Sequence, residues 1–537
     1  MKGSEKTLFK ILILSIYSIS FSMTCVYGKT LYREDRLAKV SEIVSPLKFM
    51  IFLIIAVGLS VGLLFASKAL KNFNIKKISF LPKFFKSFIF PTVLIFGAYL
   101  IIYLAFYPGV WCYDMPEQNQ MAIGIVALTK HHPPIHTLIW SVFYHLEVKT
   151  GGKICGIAAY SILQMIINSC AYGFLLKTIA KLIKNDIIYI ISFAYFLLNP
   201  VLGMFSFIPT KDGFFCVFFV LALTCILTIT VETNEKKKIS EIVVAGIMIF
   251  LASLFRNNMI YAVLVSGILI VIFSKSHKKE ILLTFAGVLV GYFLINSCLY
   301  GALGFSDSES REMLSAPMQQ IARVCKHNYD ELDEEVLGKI DLYFDSSKAR
   351  EVYNPRIADP IKNIFDSKKF DDNKVEFAKL WLAIGLKYPK EYAEAYLSLY
   401  SPYWYLFSDE IDDYVKIAYI EDYILQDEYY PFPSLSKIPQ VYSVYDRIAR
   451  GGGESIPGVS ILLSLGLPLW LYSSSLLLML FSDKKRNMPM ALLGLVYLMT
   501  FFLGPVCIIR YIFPLLAGYP IIVVSLLING KRQNTKE

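Results

Sequence analysis

Long apolar runs recur along most of this chain, and they constrain its fold more than any other feature. A run of roughly 17–25 apolar residues crosses the hydrocarbon core of a bilayer as a single helix. Only 18% of the residues are charged, against about 25% in soluble domains. We predict an all-α integral membrane protein with about twelve transmembrane helices, near residues 8–28, 48–67, 88–107, 154–176, 187–206, 213–231, 241–255, 259–273, 281–300, 456–481, 488–504 and 511–529.

The first apolar run follows three lysines, so a cleaved signal peptide is the alternative interpretation. The run is long, and Cys25-Val-Tyr-Gly28 is a poor small-residue cleavage site. We therefore predict that residues 8–28 form a retained helix.

Short basic loops alternate along the chain and set its expected orientation. With twelve helices all of them fall on one side, which the positive-inside rule assigns to the cytoplasm. We predict a multi-pass protein of the plasma membrane with both termini cytoplasmic. The basic residues are found in six segments, at 68–86, 177–184, 236–238, 275–279, 484–486 and 531–536.

The long segment 301–455, between predicted helices nine and ten, differs from the rest in charge. It holds 28 acidic and 18 basic residues, whereas the remainder holds 15 acidic and 35 basic. We predict a large, mainly helical extracytoplasmic domain there. The other predicted regions are an N-terminal two-helix segment with a basic loop (1–87), a membrane core with the outward loop 107–153 (88–300), and C-terminal membrane helices with a basic tail (456–537). The formal charge of +10 therefore indicates cytoplasmic loops and not nucleic-acid binding.

The nine cysteines show no spacing typical of a metal site. Cys112 and Cys325 are both predicted on the outer side, where a disulfide between them is conceivable.

Polar and titratable residues crowd into the stretch from Tyr107 to His136, directly after an apolar helix. Asp114, Glu117 and Gln118 share one face if this part is helical. Pro116 favours a helix start, so Asp114 is either a plain N-cap or turn residue or a general base. We predict Asp114 and Glu117 as the catalytic residues.

Lys130, His131, His132 and His136 follow in the same loop. His132 and His136 have the i, i+4 spacing of a metal-ligand pair. Pro133 and Pro134 begin the next helix, however, which predicts that His132 caps it. We predict hydrogen bonding to substrate rather than a metal site, although a divalent cation is compatible with the sequence.

Three cations lie at outer ends of helices, where Lys and Arg should be scarce: Lys211, Arg256 and Arg510. Ionisable residues at the membrane surface are costly and mark functional sites. Arg and Lys at one depth suit a lipid phosphate or pyrophosphate. The structural alternative is that they snorkel or pair with Asp212 and other carboxylates. We expect the cations and Asp114 to lie at the same membrane level. Whether they converge with His132 around one cavity distinguishes the functional alternatives. The predicted substrate-binding residues are Gln118, Lys130, His131, His132, His136, Lys211, Asp212, Arg256, Asn257, Arg510 and Tyr511.

Several short motifs across residues 88–520 are similar to those of a bacterial group of large polytopic membrane proteins of unassigned activity. These are Tyr107-Pro-Gly, Asp114, His132-Pro, Lys211-Asp212, Arg256-Asn-Asn, Met318-Gln-Gln and Arg510-Tyr511. The early outward loop with its acid, followed by several spans and a late soluble domain, resembles the GT-C superfamily of membrane glycosyltransferases.

The GT-C resemblance implies a sugar donor linked to a lipid phosphate. Asp114 matches the outward-loop acid that acts as base or orients the acceptor, and the basic residues match carrier-phosphate contacts. This chain departs from the pattern in that Met115 follows Asp114 and the second acid is Glu117. Two additional helices also precede the loop.

These features predict an enzyme that moves a sugar from a polyprenyl-phosphate carrier to a cell-envelope glycan, lipid or protein at the outer membrane face. Its partners would be the lipid-phosphate donor, membrane lipids and the acceptor. A transporter or flippase for lipid-linked glycans, and a non-catalytic envelope assembly protein, remain as alternatives.

Overall fold

The regular structure of this chain is helical throughout the residues that the computed structural model describes. These are residues 3–151, 155–274, 276–407, 435–449, 460, 463–482 and 484–528. Within them the extended backbone forms no strand, and β-pairing is limited to isolated bridges. The all-α prediction is confirmed.

The α-helices of six or more residues within the described part of the chain are numbered here in chain order. They are α1 (Gly3–Glu34), α2 (Pro46–Asn72), α3 (Ile89–Ala105), α4 (Met115–Ala122), α5 (Pro134–Thr150), α6 (Cys155–Ile183), α7 (Asp186–Leu198), α8 (Pro200–Phe205), α9 (Lys211–Val231), α10 (Glu235–Phe255), α11 (Met259–Phe273), α12 (Lys278–Phe293), α13 (Ser315–Asn328), α14 (Glu334–Asp341), α15 (Ser346–Val352), α16 (Ser367–Asp372), α17 (Lys374–Lys387), α18 (Pro389–Leu399), α19 (Pro439–Arg447), α20 (Leu467–Phe481), α21 (Met488–Met499) and α22 (Ile509–Leu527).

The lengths of the apolar helices make this a multi-pass membrane protein. Eight described helices, some with their flanking turns, are long and apolar enough to cross a bilayer: α1, α2, α6, α9, α10, α12, α21 and α22. Four shorter apolar helices are α3, α7, α11 and α20. Each predicted span overlaps one of these twelve, but a spanning helix needs about 20 residues. The count of twelve therefore stays a prediction.

One predicted span is broken, for a local reason. The sequence suggested a single helix over 187–206, but α7 ends at Leu198 and α8 begins at Pro200. Between them the side chain of Asn199 accepts hydrogen bonds from the backbone N–H groups of Val201 and Leu202. Asn199 is thus the N-cap of a new helix, and Pro200 has the position that favours a helix start.

Helix α9 lies at the centre of the bundle, in contact with α6, α10, α21 and α22. Most of its side chains are buried, on all of its faces. This is the expected place of a helix that is apolar all round. Its first residue is Lys211, so the central packing fixes the position of that cation.

The N-terminal helices α1 and α2 pack on each other at the edge of the bundle. Large apolar side chains remain uncovered along them, such as Val57 and Phe65, as expected for surfaces that face lipid. Tyr17 and Phe21 of α1 pack against the ring of Trp470 in α20. This contact attaches the pair to the C-terminal helices.

Helices α13 to α18 contribute to a second hydrophobic core, separate from that of the membrane bundle. It lies within the predicted outer domain, whose bounds stay a prediction. Cys325 is buried in this core and Cys112 in the bundle core. Both are free thiols, so the disulfide considered from the sequence is absent.

Candidate functional site

A buried loop joins α3 to the short helix α4 and ends at Asp114. Trp111 and Cys112 in this loop are fully buried, and Tyr113 has a left-handed backbone with φ of 58°. Asp114 stands at the N-cap position of α4, with Pro116 in the first turn, as the sequence suggested. Its carboxylate, however, accepts no hydrogen bond from the helix backbone. The side chain is therefore not a plain cap.

Each oxygen of the Asp114 carboxylate faces a cation from a different helix. Oδ2 lies 2.5 Å from Nζ of Lys211, and Oδ1 lies 3.0 Å from Nη2 of Arg510. Lys211 is the first residue of α9 and Arg510 the second of α22. Because these two helices pack side by side, their first turns bring both cations to the same place.

The two cations also determine the charge state of Asp114. Burial raises the pKa of this carboxyl, but the Arg510 guanidinium and the Lys211 ammonium outweigh burial and hold the pKa well below its usual range. Asp114 is consequently a carboxylate at neutral pH. In this state it is a charge partner and a weak base.

His132 and Glu117 extend the cluster on its more exposed side. His132 Nδ1 lies 3.6 Å from Asp114 Oδ2 and 3.4 Å from Lys211 Nζ. Its Nε2 lies 3.0 Å from Glu117 Oε2. The N-cap residue of α5 is Pro133, so the prediction that His132 caps this helix is wrong. The ring lies instead between the two predicted acids.

Arg256 and Asp212 form a second, deeper pair next to this cluster. The Arg256 guanidinium donates from Nη1 to Oδ1 of Asp212, and both side chains are buried. This is the pairing that the structural alternative named. The ring of Tyr511 lies 4.4 Å from the Arg256 guanidinium carbon and 5.2 Å from that of Arg510. Tyr511 thus contacts both guanidiniums, as a cation–π partner does.

The other predicted site residues lie around the cluster and hold its loop. His136 is fully buried, with Nδ1 2.6 Å from Gln118 Oε1 and Nε2 2.6 Å from the Tyr160 hydroxyl. Burial lowers the pKa of His136 to about 3. Lys130 forms an ion pair with Asp307 at 2.9 Å, and its carbonyl accepts from the Asn257 amide. Through their contacts with each other and with Tyr160, His136 and Gln118 stabilise the loop rather than face its open side.

Several buried donors of the site have no hydrogen-bond partner within the described structure. They are Nε and Nη1 of Arg510, Nε of Arg256 and Nε2 of Gln118. Buried polar groups are almost always paired in proteins, so each unpaired one needs an explanation such as a bound ligand or water. Arg510 is only 7% exposed and has two such groups. It is therefore the residue best prepared to receive an additional acceptor.

Apart from Tyr511, the sequence did not indicate the aromatic residues that surround the guanidiniums. Tyr113 lies 4.5 Å from the guanidinium carbon of Arg510. Phe501 and Tyr497 lie 5.1 Å and 5.8 Å from that of Arg256. Tyr113 could have been found from its place beside Asp114. Phe501 and Tyr497 belong to an apolar segment with many aromatics, where no local signal distinguishes them.

Comparison with known proteins identifies the family. A model of the family of unknown function DUF6020 matches residues 122–537, which is most of the chain, so the protein belongs to this family. The match includes His132, Lys211, Arg256 and Arg510 and begins eight residues after Asp114. No curated protein and no solved structure matches the chain.

Proposed function

We propose that this protein is a GT-C-type membrane glycosyltransferase. It would move a sugar from a polyprenyl-phosphate carrier to an acceptor at the outer membrane face. Asp114 would be the base, and Lys211, Arg256 and Arg510 would bind the carrier phosphate. One observation carries the proposal: Lys211 and Arg510, which begin two packed apolar helices, meet on a single carboxylate.

The unpaired donors of Arg510 make a phosphate ligand the best match for this site. A guanidinium offers five N–H donors that fit phosphate oxygens. Asp114 occupies Nη2, whereas Nε and Nη1 have no partner among the described residues. A phosphate bound there would accept from Nε and Nη1 of Arg510, while Nη2 could still donate to Asp114.

Phosphate binding would also prepare Asp114 for its role. Lys211 and Arg510 now hold the pKa of Asp114 well below its usual range. A general base is most effective when its pKa lies near the working pH. When the carrier phosphate also contacts Lys211 and Arg510, these cations stabilise the Asp114 carboxylate less. The pKa of Asp114 then rises. Asp114 therefore becomes a stronger base when the lipid-linked sugar donor is bound.

The transfer step follows from this arrangement. The acceptor oxygen forms a bond to the anomeric carbon of the sugar, and the bond from that carbon to the carrier-phosphate oxygen breaks. Asp114 takes the hydroxyl proton of the acceptor. Lys211 and Arg510 stabilise the negative charge that remains on the leaving phosphate. Glu117, hydrogen-bonded to His132, would keep that ring beside Asp114.

The location of the reaction is part of the proposal. The positive-inside pattern supports a plasma-membrane protein with both termini in the cytoplasm and residues 301–455 outside. The acceptor would then be an envelope glycan, lipid or protein.

The role of Asp114 is tested with purified protein in nanodiscs and a panel of radiolabelled polyprenyl-phosphate sugars, with envelope extract as the acceptor source. We expect Asp114→Asn to lower transfer by about 10²–10⁴-fold, the usual contribution of a general base. Asp330→Asn is the matched control, because this carboxylate is 89% exposed, and it should leave transfer unchanged. Equal turnover by wild type and Asp114→Asn would refute the assignment.

The phosphate site is tested separately by equilibrium binding of sugar-free polyprenyl phosphate. Charge-assisted hydrogen bonds contribute about 1.5–3 kcal/mol, so Lys211→Gln and Arg510→Gln should each weaken binding at least about tenfold. The control is Lys379→Gln, at an exposed lysine of α17. Unaltered affinity in both site variants would remove the phosphate site from the proposal.

A transporter of lipid-linked glycans is the second candidate, and one cavity favours it. A cavity of about 730 Å³ lies at the other end of α9, lined by Thr230, Lys238, His277, Lys485 and Arg486 among apolar residues. Cations near both ends of one central helix would suit a lipid phosphate that crosses the membrane. This candidate predicts movement of polyprenyl phosphate between leaflets of proteoliposomes without any sugar transfer.

A further inference from the structure

The cations of the candidate site are already balanced by carboxylates. Lys211 and Arg510 share Asp114, and Arg256 pairs with Asp212. Glu117 adds one further negative charge beside His132. With neutral histidines these six ionised side chains have no net charge. An anionic carrier phosphate would therefore gain little long-range attraction unless a further positive charge is bound.

Three side chains on the exposed edge of the site are arranged to bind such a charge. One ligand atom from each of Glu117, His131 and His132 lies within 4.8 Å of the other two. All three side chains reach the same place from two segments, since Glu117 belongs to α4 and the histidines precede α5. The Glu117 carboxylate is 50% exposed, which leaves the group open to ions from solution.

We propose that Glu117, His131 and His132 bind one divalent first-row transition metal, of the class of Zn²⁺ or Mn²⁺. Two imidazoles and a carboxylate suit these ions better than Mg²⁺ or Ca²⁺, which prefer an all-oxygen shell. Three protein ligands leave at least one position open. On the proposed function, on which this role rests, an oxygen of the carrier phosphate would take that position.

The second nitrogen of His132 supports this assignment. When Nε2 binds a metal, the proton of the ring moves to Nδ1, which lies 3.6 Å from Asp114 Oδ2. A carboxylate behind a ligating histidine is the usual arrangement in metal sites, where it fixes the tautomer and orients the ring. Glu312 places a second carboxylate next to His131, with Oε2 3.8 Å from Nδ1.

The neighbouring cations do not prevent metal binding. Lys211 Nζ is 3.4 Å from His132 Nδ1, the nitrogen that faces away from Glu117, and the ammonium gives up this contact once Nδ1 carries the ring proton. The ammonium is also neutralised by Asp114 at 2.5 Å.

The test measures metal on the full-length protein in detergent, without substrate. The metal-free protein is titrated with Co²⁺ and followed by its visible absorption, and Zn²⁺ stoichiometry is measured by mass spectrometry after dialysis. We expect one ion per chain. His131→Ala and Glu117→Gln should each weaken binding at least about tenfold, since even groups behind the ligands change affinity by 10–100-fold. His145→Ala is the matched control, because His145 is exposed on α5, and it should bind like wild type.

Two outcomes would overturn the metal site: no stoichiometric binding by wild type, or equal binding by wild type and both site variants. The proposed function fails in a different way. If sugar transfer in EDTA equals transfer with Zn²⁺ and still depends on Asp114, only the role of the metal in transfer is lost. If one ion binds through His131 and Glu117 but Asp114→Asn transfers sugar normally, the metal site stands and the function assigned to Asp114 is lost.

Discussion

At the scale of single residues, the buried pair Arg256–Asp212 is the contact of the site whose loss should destabilise the fold most. Asp212 is fully buried and Arg256 is 6% exposed. Desolvation of two ions is compensated only while both are present, and removal of one partner leaves an uncompensated buried charge. The pair therefore holds the first turn of α9 to the end of α10.

Arg256→Met should lower the free energy of unfolding by about 3–5 kcal/mol, because it leaves Asp212 charged and without its partner. The double variant Arg256→Met with Asp212→Asn should recover much of this loss, since no charge remains. Unfolding in mixed micelles at increasing SDS measures both. A double variant as unstable as the single one would show that Arg256 contributes through packing on Tyr511 and Phe501 instead.

At the scale of elements, the start of α9 is positioned by its contact with α6. Gln164 of α6 donates from Nε2 to the carbonyls of Phe205, Ser206 and Ile208. It thereby satisfies the last carbonyl of α8 and two carbonyls of the turn that leads to Lys211. The same side chain lies against Gly213, where any Cβ would overlap its amide group. The position of Lys211 therefore depends on the close contact between Gln164 and Gly213, which only glycine allows.

Gly213→Ala should displace the first turn of α9 from α6 and weaken the Lys211–Asp114 contact. We expect faster hydrogen exchange of the backbone amides in residues 206–214 and weaker binding of polyprenyl phosphate. Gly287→Ala is the control, because nothing lies within 4 Å of a Cβ built at Gly287 of α12. Alanine is about 1 kcal/mol more favourable than glycine inside a helix, so the control should be neutral or slightly stabilising.

At the scale of the whole molecule, one arginine joins helices α13 and α18 to the residues that follow α1. Arg323 of α13 pairs with Asp35, just after α1, and with Glu391 and Glu394 of α18. The Glu394 carboxylate also accepts from the backbone N–H of Leu37. Residues that precede the second helix thus contact the segment predicted to lie outside. The end of α1 and helices α13 and α18 must therefore be on the same side of the membrane.

The predicted orientation has a direct test in bacterial spheroplasts. Trypsin added outside should cleave within residues 301–455, where exposed lysines such as Lys339 and Lys379 are found. The basic turn 236–238 should stay intact until the membrane is permeabilised. A GFP fused to the C-terminus should fluoresce, as it does in the cytoplasm. Protection of 301–455 with cleavage at 236–238 would reverse the topology and with it the outer-face reaction.

The sequence by itself determined the features that depend on local composition. Runs of apolar residues must form helices in lipid, because every backbone polar group needs an internal partner there. Proline positions marked the starts of α4 and α5, and the basic loops predict an orientation. The unusual polar residues at helix ends were visible for the same reason, since each stands out against its apolar neighbours.

Only the tertiary structure decided which of these residues meet. Asp114 and Arg510 are separated by 396 positions, and nothing in either segment indicates the other. Their contact depends on how the loop before α4 packs against the start of α22. The packing of α9 on α10 brings Arg256 to Asp212, and the packing of α5 on α6 buries His136 against Tyr160. His132 changed from an expected helix cap to a ring between two acids for the same reason. Ion pairing acts over a few ångströms, so partners are chosen by the packing of whole helices and not by position in the chain.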